Sequence, residues 1–170
     1  LTHMNRNPDL FEEGVAYAKE GGHIDYTTST TPQFLEEGEV KSSKALKICL
    51  DAGVAVERIT FSSDGQGSLP IFDEDGNLAT LDVASQKTLL EQLATIVRDG
   101  ILELPKAAAL FTANPARFYG LDRKGRLAPG ADADLMLLVT AFRPVHVLAR
   151  GRRAVTDGDV VLRGTFSAPS

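Results

Sequence analysis

A chain of 170 residues with 43% hydrophobic content and a mean hydropathy of −0.07 is long enough to bury a core. Its formal net charge of −5 argues against nucleic acid or an anionic membrane as partner, since both demand a basic surface. Cys49 is the only cysteine, which excludes an internal disulfide and points to a reducing, cytoplasmic setting.

The chain opens Leu1-Thr2-His3-Met4-Asn5-Arg6, with no initiator methionine and no basic region leading into an apolar signal core. Leu1-Thr2 reads as the last step of a strand, so residues upstream in a parent protein are expected. Asn7-Pro8 then opens a helix, Asn as N-cap and Pro at the first helical position. Leu10, Phe11, Gly14, Val15 and Ala18 repeat at helical spacing until Gly21-Gly22. His23 to Thr28 is a short strand of mixed polarity, and Ser29 to Glu39 reads as a loop. Val40 to Ala52 is predicted helical, with Ala45, Leu46, Ile48, Cys49 and Leu50 on its inner side.

Val56 to Phe61 is a β-branched and aromatic run that ends in Ser62-Ser63-Asp64-Gly65-Gln66-Gly67-Ser68. This pattern predicts a buried strand delivering one carboxylate, Asp64, at its C-terminal tip. An ordinary strand followed by an Asp-Gly turn would look the same. Phe72-Asp73-Glu74-Asp75-Gly76-Asn77 has the alternating acids of a calcium loop, but the twelfth position from Asp73 is Ala84, which cannot supply the bidentate ligand. An acidic surface turn is expected there. A long helix is predicted from about Asp82 to Arg98, striped by Leu89, Leu90, Leu93, Ile96 and Val97. Leu104 to Phe111 and Asn114 to Gly120 read as two further helices.

Beyond Leu121 the period changes to two. Leu135–Val139, Val145–Ala149 and Val160–Leu162 are predicted strands, with turns at Pro129-Gly130, Arg150-Gly151 and Asp157-Gly158. Leu135 to Val139, as long as any apolar run in the chain, is far too short to span a bilayer. Alternating helices and strands predict parallel βα units over residues 1–120, and an all-β part over 121–170.

In α/β barrels, residues distant in sequence meet where the C-terminal ends of the strands converge. His3 and Asp64, each at a predicted strand tip, are therefore candidates to share one cavity. An imidazole and a carboxylate suit a divalent metal such as Zn²⁺, but a catalytic zinc takes at least three protein ligands. Read alone, His3 is more often a plain loop histidine than a ligand, and Arg6 reads as a surface arginine pairing with a helix-borne acid. His146, among apolar strand residues, reads as structural, and His23 sits at a predicted strand start and is given no role.

Four motifs together resemble the C-terminal part of the amidohydrolase superfamily, across essentially the whole chain. They are Thr2-His3-Met4-Asn5-Arg6-Asn7, Ser62 to Ser68, Thr112-Ala113-Asn114-Pro115-Ala116, and Lys124 to Leu135. The first two are the narrower, and look like those of the β-aspartyl (isoaspartyl) dipeptidase family. The resemblance implies the last strands and helices of a (β/α)8 barrel followed by strands of a small β-sandwich domain. It also implies a binuclear zinc site, with His3 and Asp64 as metal ligands, Asp64 also as the catalytic proton carrier, and Arg6 and Ser68 holding substrate carboxylates. The remaining ligands of that family lie upstream, so this chain alone is expected to be inactive and to need a missing N-terminal half.

The implied activity is hydrolysis of a β-aspartyl dipeptide by a metal-bound hydroxide, formed from a bound water whose pKa has fallen toward about 7. A homo-oligomer is implied as well. Two alternatives remain open at this point: a dihydroorotase-like cyclic-amide hydrolase, with Arg6 and the Gly65-Gln66-Gly67 loop against it, and a non-catalytic scaffold that keeps the fold without the site.

Overall fold

The computed structural model describes residues 1–164; residues 165–170, the end of the expected β-domain, lie outside them. The chain divides into two compact units, one spanning Leu1–Pro115 and the other starting at Ala116.

The first unit is built on a parallel pair of strands, β1 (Ile24–Thr27) and β2 (Ile59–Ser62), in the register Ile24↔Ile59 to Thr27↔Ser62. Each strand alternates, so one face carries Ile24, Tyr26, Ile59 and Phe61 while the other carries Asp25, Thr27, Thr60 and Ser62. The apolar face is the core. Phe11, Tyr26, Phe61 and Phe111 form a chain of rings with centroids 5.9, 6.0 and 5.0 Å apart. Around it pack Ala45, Leu46, Ile96 and Leu110. The Tyr26 hydroxyl and Cys49 sulfur lie 2.8 Å apart, and burial raises both the phenol and the thiol above their ordinary values, which keeps the pair neutral.

The polar face is satisfied internally. Buried Asp25 accepts from the hydroxyls of Thr2 (2.9 Å), Thr60 (2.8 Å) and Ser62, as a buried carboxylate requires. Leu1 and Thr2 continue the pairing without forming a strand: Asp25 N–H donates to Leu1 O, and Met4 N–H donates to Asp25 O. That spacing is one residue longer than a regular parallel ladder, and the extra residue is His3, at φ +56°.

Helix α1 (Pro8–Lys19) starts as predicted, the Asn7 side chain accepting from Asp9 N and Leu10 N. The expected loop from Ser29 holds a short helix, α2 (Pro32–Glu36), capped by Thr31. Helix α3 (Ser42–Asp51) buries Ala45, Leu46 and Cys49, but Ile48, expected on the inner side, is exposed, because it sits two positions from Leu46, about 200° round the helix. A short 3-10 turn at Val56–Arg58 takes the start of the predicted strand, leaving β2 from Ile59.

The long helix expected from Asp82 is corrected. Residues Leu78–Val83 form β4, antiparallel to β3 (Ser68–Phe72), and α4 (Thr88–Arg98) begins only afterwards. Leu81 and Val83 share one face at a spacing of two, which suits a strand and breaks the helical stripe. The acidic run is the surface turn expected: the Asp73 carboxylate accepts from Asp75 N and Asn77 N and closes the hairpin.

Helices α5 (Leu104–Ala109) and α6 (Ala113–Phe118) follow. Buried Asn114 donates from Nδ2 to Val56 O (2.8 Å) and Ile59 O (2.9 Å), which fixes where β2 begins.

The second unit is a four-stranded antiparallel sheet in the order β5 (Leu135–Leu138), β6 (Pro144–Ala149), β7 (Arg152–Thr156) and β8 (Asp159–Val160). Strand β7 was not predicted, since Arg152 and Arg153 mask its alternation, and β8 ends before the expected Leu162. The two-residue turns Arg150-Gly151 and Asp157-Gly158 take positive φ at both positions, the geometry that matches strand twist. The motif ending at Leu135 ties this sheet: Asp134 pairs with Lys124 and accepts from Arg150 N (2.7 Å), and Asp132 pairs with Arg123 and Lys124. The Lys124 ammonium, first among these partners, holds both carboxyls below their ordinary range. Among the described residues this unit supplies one sheet, and a sandwich needs a second layer. No helix among the described residues is long and apolar enough to cross a membrane.

Candidate active site

The C-terminal ends of β1 and β2 carry the predicted residues. His3 precedes the buried pair Met4 and Asn5, and its bulged backbone turns the ring onto β1, where Nδ1 hydrogen-bonds Thr27 Oγ1. With Nδ1 engaged, Nε2 is the nitrogen that can face a cation, the arrangement by which a hydroxyl orients a metal-binding imidazole. Thr27 is the register partner of Ser62, two residues before Asp64.

Asn5 anchors this corner. It is fully buried, accepts from Thr27 N (2.8 Å), and donates to Thr27 O (3.0 Å) and Val40 O (3.1 Å). Sequence reasoning placed Asn5 in a motif without giving it this task.

Asp64 leaves β2 at φ +53° and opens a turn that Gly67 closes, its N–H donating to Asp64 O at 2.8 Å. Gln66 N–H donates to Ala84 O, and Ala84 N–H to Gly67 O, so the turn is stitched to the segment after β4. A Cβ on Gly67 would lie 2.7 Å from Asp64 O and 2.8 Å from Asp64 Oδ1. Only glycine lets the carboxylate sit where it does. Gly67→Ala should therefore displace Asp64 and cost about 1–3 kcal/mol in stability from overpacking. Thermal melting of the variant checks this, and an unchanged melting temperature would mean that the turn has room for a methyl group.

Arg6 lies between two acids. Its Nη1 is 3.1 Å from Glu39 Oε2, and its Nη2 is 3.9 Å from Asp64 Oδ2. Its Cζ stands 4.8 Å from the centroid of Phe34 on α2. Glu39 is almost wholly enclosed, its side chain 1% exposed, whereas that of Asp64 is 37% exposed. Burial raises the Glu39 carboxyl above its ordinary value, and Arg6 and Thr30 oppose that rise. Glu39 and Phe34 are the site residues that sequence reasoning missed. Glu39 follows Glu36-Glu37-Gly38 in an acidic run that reads as solvated surface, and no period marks it out.

Ser68 is the first residue of β3, paired with Val83, and its side chain is exposed at the foot of the hairpin. The structure thus gathers His3, Arg6 and Asp64 at the ends of one strand pair, with Ser68 just beyond the Asp64 turn. Among the described residues no group of three or more His, Cys, Asp or Glu side chains is assembled for a metal. Chemically the corner offers one imidazole, one accessible carboxylate and a guanidinium, a set suited to part of a metal site and to an anionic ligand.

The sequence model of the amidohydrolase family matches residues 5–157. A solved β-aspartyl dipeptidase from Fervidobacterium islandicum AW-1, in complex with β-Asp-Leu dipeptide, is 37% identical, with a TM-score of 0.79 over 98% of this chain and 42% of its own. The adenine deaminase of Deinococcus deserti is 34% identical over 148 residues, 82% of this chain and 25% of that protein. The dihydroorotase of Methanothermobacter thermautotrophicus is 28% identical over 116 residues, 54% of this chain and 26% of that protein. The chain spans about a quarter of the length of these curated relatives.

Proposed function

The chain belongs to the amidohydrolase family, and on that premise we propose that it is the C-terminal part of a zinc-dependent hydrolase of β-aspartyl (isoaspartyl) dipeptides. The observation that carries the reading is the Arg6 guanidinium set 3.9 Å from the Asp64 carboxylate at the end of a parallel strand pair. A cation that grips a carboxylate, placed beside a carboxylate that moves a proton, suits an acidic dipeptide. The strand pair β1 and β2 then belongs to the closing strands of a (β/α)8 barrel, whose other strands and metal ligands come from outside these residues.

The donor set present fits zinc: an imidazole oriented through Nδ1 and a carboxylate are both ligands it takes. His3 and Asp64 would hold it, and bound zinc supplies Lewis-acid polarisation and a water acidified toward neutrality. Arg6 receives the substrate carboxylate on its Nη2 edge, as a planar fork allows. Ser68 adds a hydroxyl donor from the foot of the hairpin. Asp64 takes the proton of the attacking water on a carboxylate oxygen and returns it to the leaving amine. In this reading the protein is cytoplasmic, in keeping with its one free, buried thiol, and homo-oligomeric, as the resemblance implies.

The test is hydrolysis by the complete enzyme of β-Asp-Leu set against adenine and dihydroorotate. We expect cleavage of the dipeptide and a loss of activity on zinc removal that zinc restores. Deamination of adenine instead would favour the chemistry of the Deinococcus deserti relative, against which Arg6 speaks, since adenine carries no carboxylate. Cleavage of dihydroorotate alone would assign the cyclic-amide reading, and no turnover of any of the three would favour a scaffold.

A further inference from the structure

A guanidinium that receives a substrate must be held without being used up. Arg6 is restrained on two sides. Glu39 takes Nη1 at 3.1 Å, and the Phe34 ring lies 4.8 Å from Cζ. The two restraints are tied to each other, because Glu39 N–H donates to Phe34 O at 2.8 Å. Toward Asp64 the separation is 3.9 Å, longer than a hydrogen bond, so the Nη2 edge keeps its donors for an incoming group. Both Glu39 oxygens accept, Oε2 from Arg6 and Oε1 from Asn5 Nδ2 at 3.5 Å. A side chain 1% exposed loses hydration that one ion pair and a long hydrogen bond from Asn5 do not readily return, so a purely stabilising role is a weak account of it.

We propose that Glu39 is a positioning residue: it fixes the Arg6 guanidinium through Nη1 so that the Nη2 edge faces the substrate carboxylate at the Asp64 tip. The loop from α2 to α3 thereby becomes part of the specificity apparatus for acidic dipeptides. The proposal rests on reading Arg6 as the carboxylate receptor.

The experiment compares Glu39→Gln and Glu39→Asp with the parent in the complete enzyme, using β-Asp-Leu. Gln keeps the shape but accepts on one oxygen and carries no charge, so the ion pair with Arg6 is lost and a single, weaker hydrogen bond is left. We expect KM to rise about tenfold or more with kcat and zinc content within about twofold of the parent, and Glu39→Asp to recover part of the loss. In an Arg6→Met background, Glu39→Gln should leave KM unchanged, which a merely structural acid would not do. An unchanged KM in Glu39→Gln, or an equal further loss in the Arg6→Met background, overturns the proposal.

Nitrogen NMR of the Arg6 side chain supplies a readout free of substrate. Slow Nη rotation in the parent and fast rotation in Glu39→Gln support the clamp; equal rates refute it. A parent that cleaves no β-aspartyl dipeptide but keeps the slow rotation would refute the dipeptidase reading alone. If Glu39→Gln fails to fold, Glu39→Asp carries the same rotation and KM measurements.

Discussion

Replacing Asp64 with asparagine in the complete enzyme is expected to lower kcat by about 10²–10⁴-fold, the range that a positioned proton carrier contributes. The fold should survive. Asp64 sits at φ +53°, a conformation that asparagine adopts as readily as aspartate, and the turn is closed by the backbone of Gly67 rather than by the carboxylate. What the amide lacks is a basic oxygen for the proton and a charge for the cation. Turnover of β-Asp-Leu, melting temperature and zinc content separate these effects. A variant that melts like the parent and turns over as fast would remove Asp64 from the chemistry.

Arg6→Met should lower kcat/KM on the same dipeptide by about 10²-fold or more, since each hydrogen bond to a charged group contributes about 1.5–3 kcal/mol. Zinc content should not change; a large loss of metal would reassign Arg6. The substitution also strands Glu39, whose side chain is 1% exposed, and removing one partner of an enclosed pair costs about 3 kcal/mol. Burial already raises the Glu39 carboxyl, and Arg6 is the leading influence opposing it. Without Arg6 the rise grows. A carboxyl raised in the folded state gives its full stability below the unfolded value and loses it as pH climbs through the folded one. The Arg6→Met protein should therefore melt closest to the parent in acid and fall behind as pH rises toward neutrality. Adding Glu39→Gln should flatten that pH dependence without restoring KM.

Much of the fold could be read because its signals are local. The Asn7-Pro8 start of α1 and the turns Arg150-Gly151 and Asp157-Gly158 depend on a few neighbouring residues with known backbone preferences. The hairpin of β3 and β4 was missed although Ala79, Leu81 and Val83 alternate with Thr80 and Asp82, because the helical stripe that starts at Leu89 follows closely and draws the expected helix back over the strand. Asp64 was visible at the end of an apolar run. Its neighbour Arg6 could be set beside it only through the motif resemblance, as the two stand 58 positions apart and meet by strand pairing alone. Glu39 was illegible for the same reason, since its meaning comes entirely from what α2 and Asn5 place around it.

His3, Asp64 and Gln66 all adopt left-handed backbone angles, +56°, +53° and +71°, although none is glycine. Each such residue holds about 1–2 kcal/mol of strain that the surrounding hydrogen bonds must sustain. Heat tolerance and chemistry therefore pull in opposite directions at this corner. Selection for endurance alone would favour glycine at positions 3 and 64, producing a tougher protein with no imidazole and no carboxylate at its mouth.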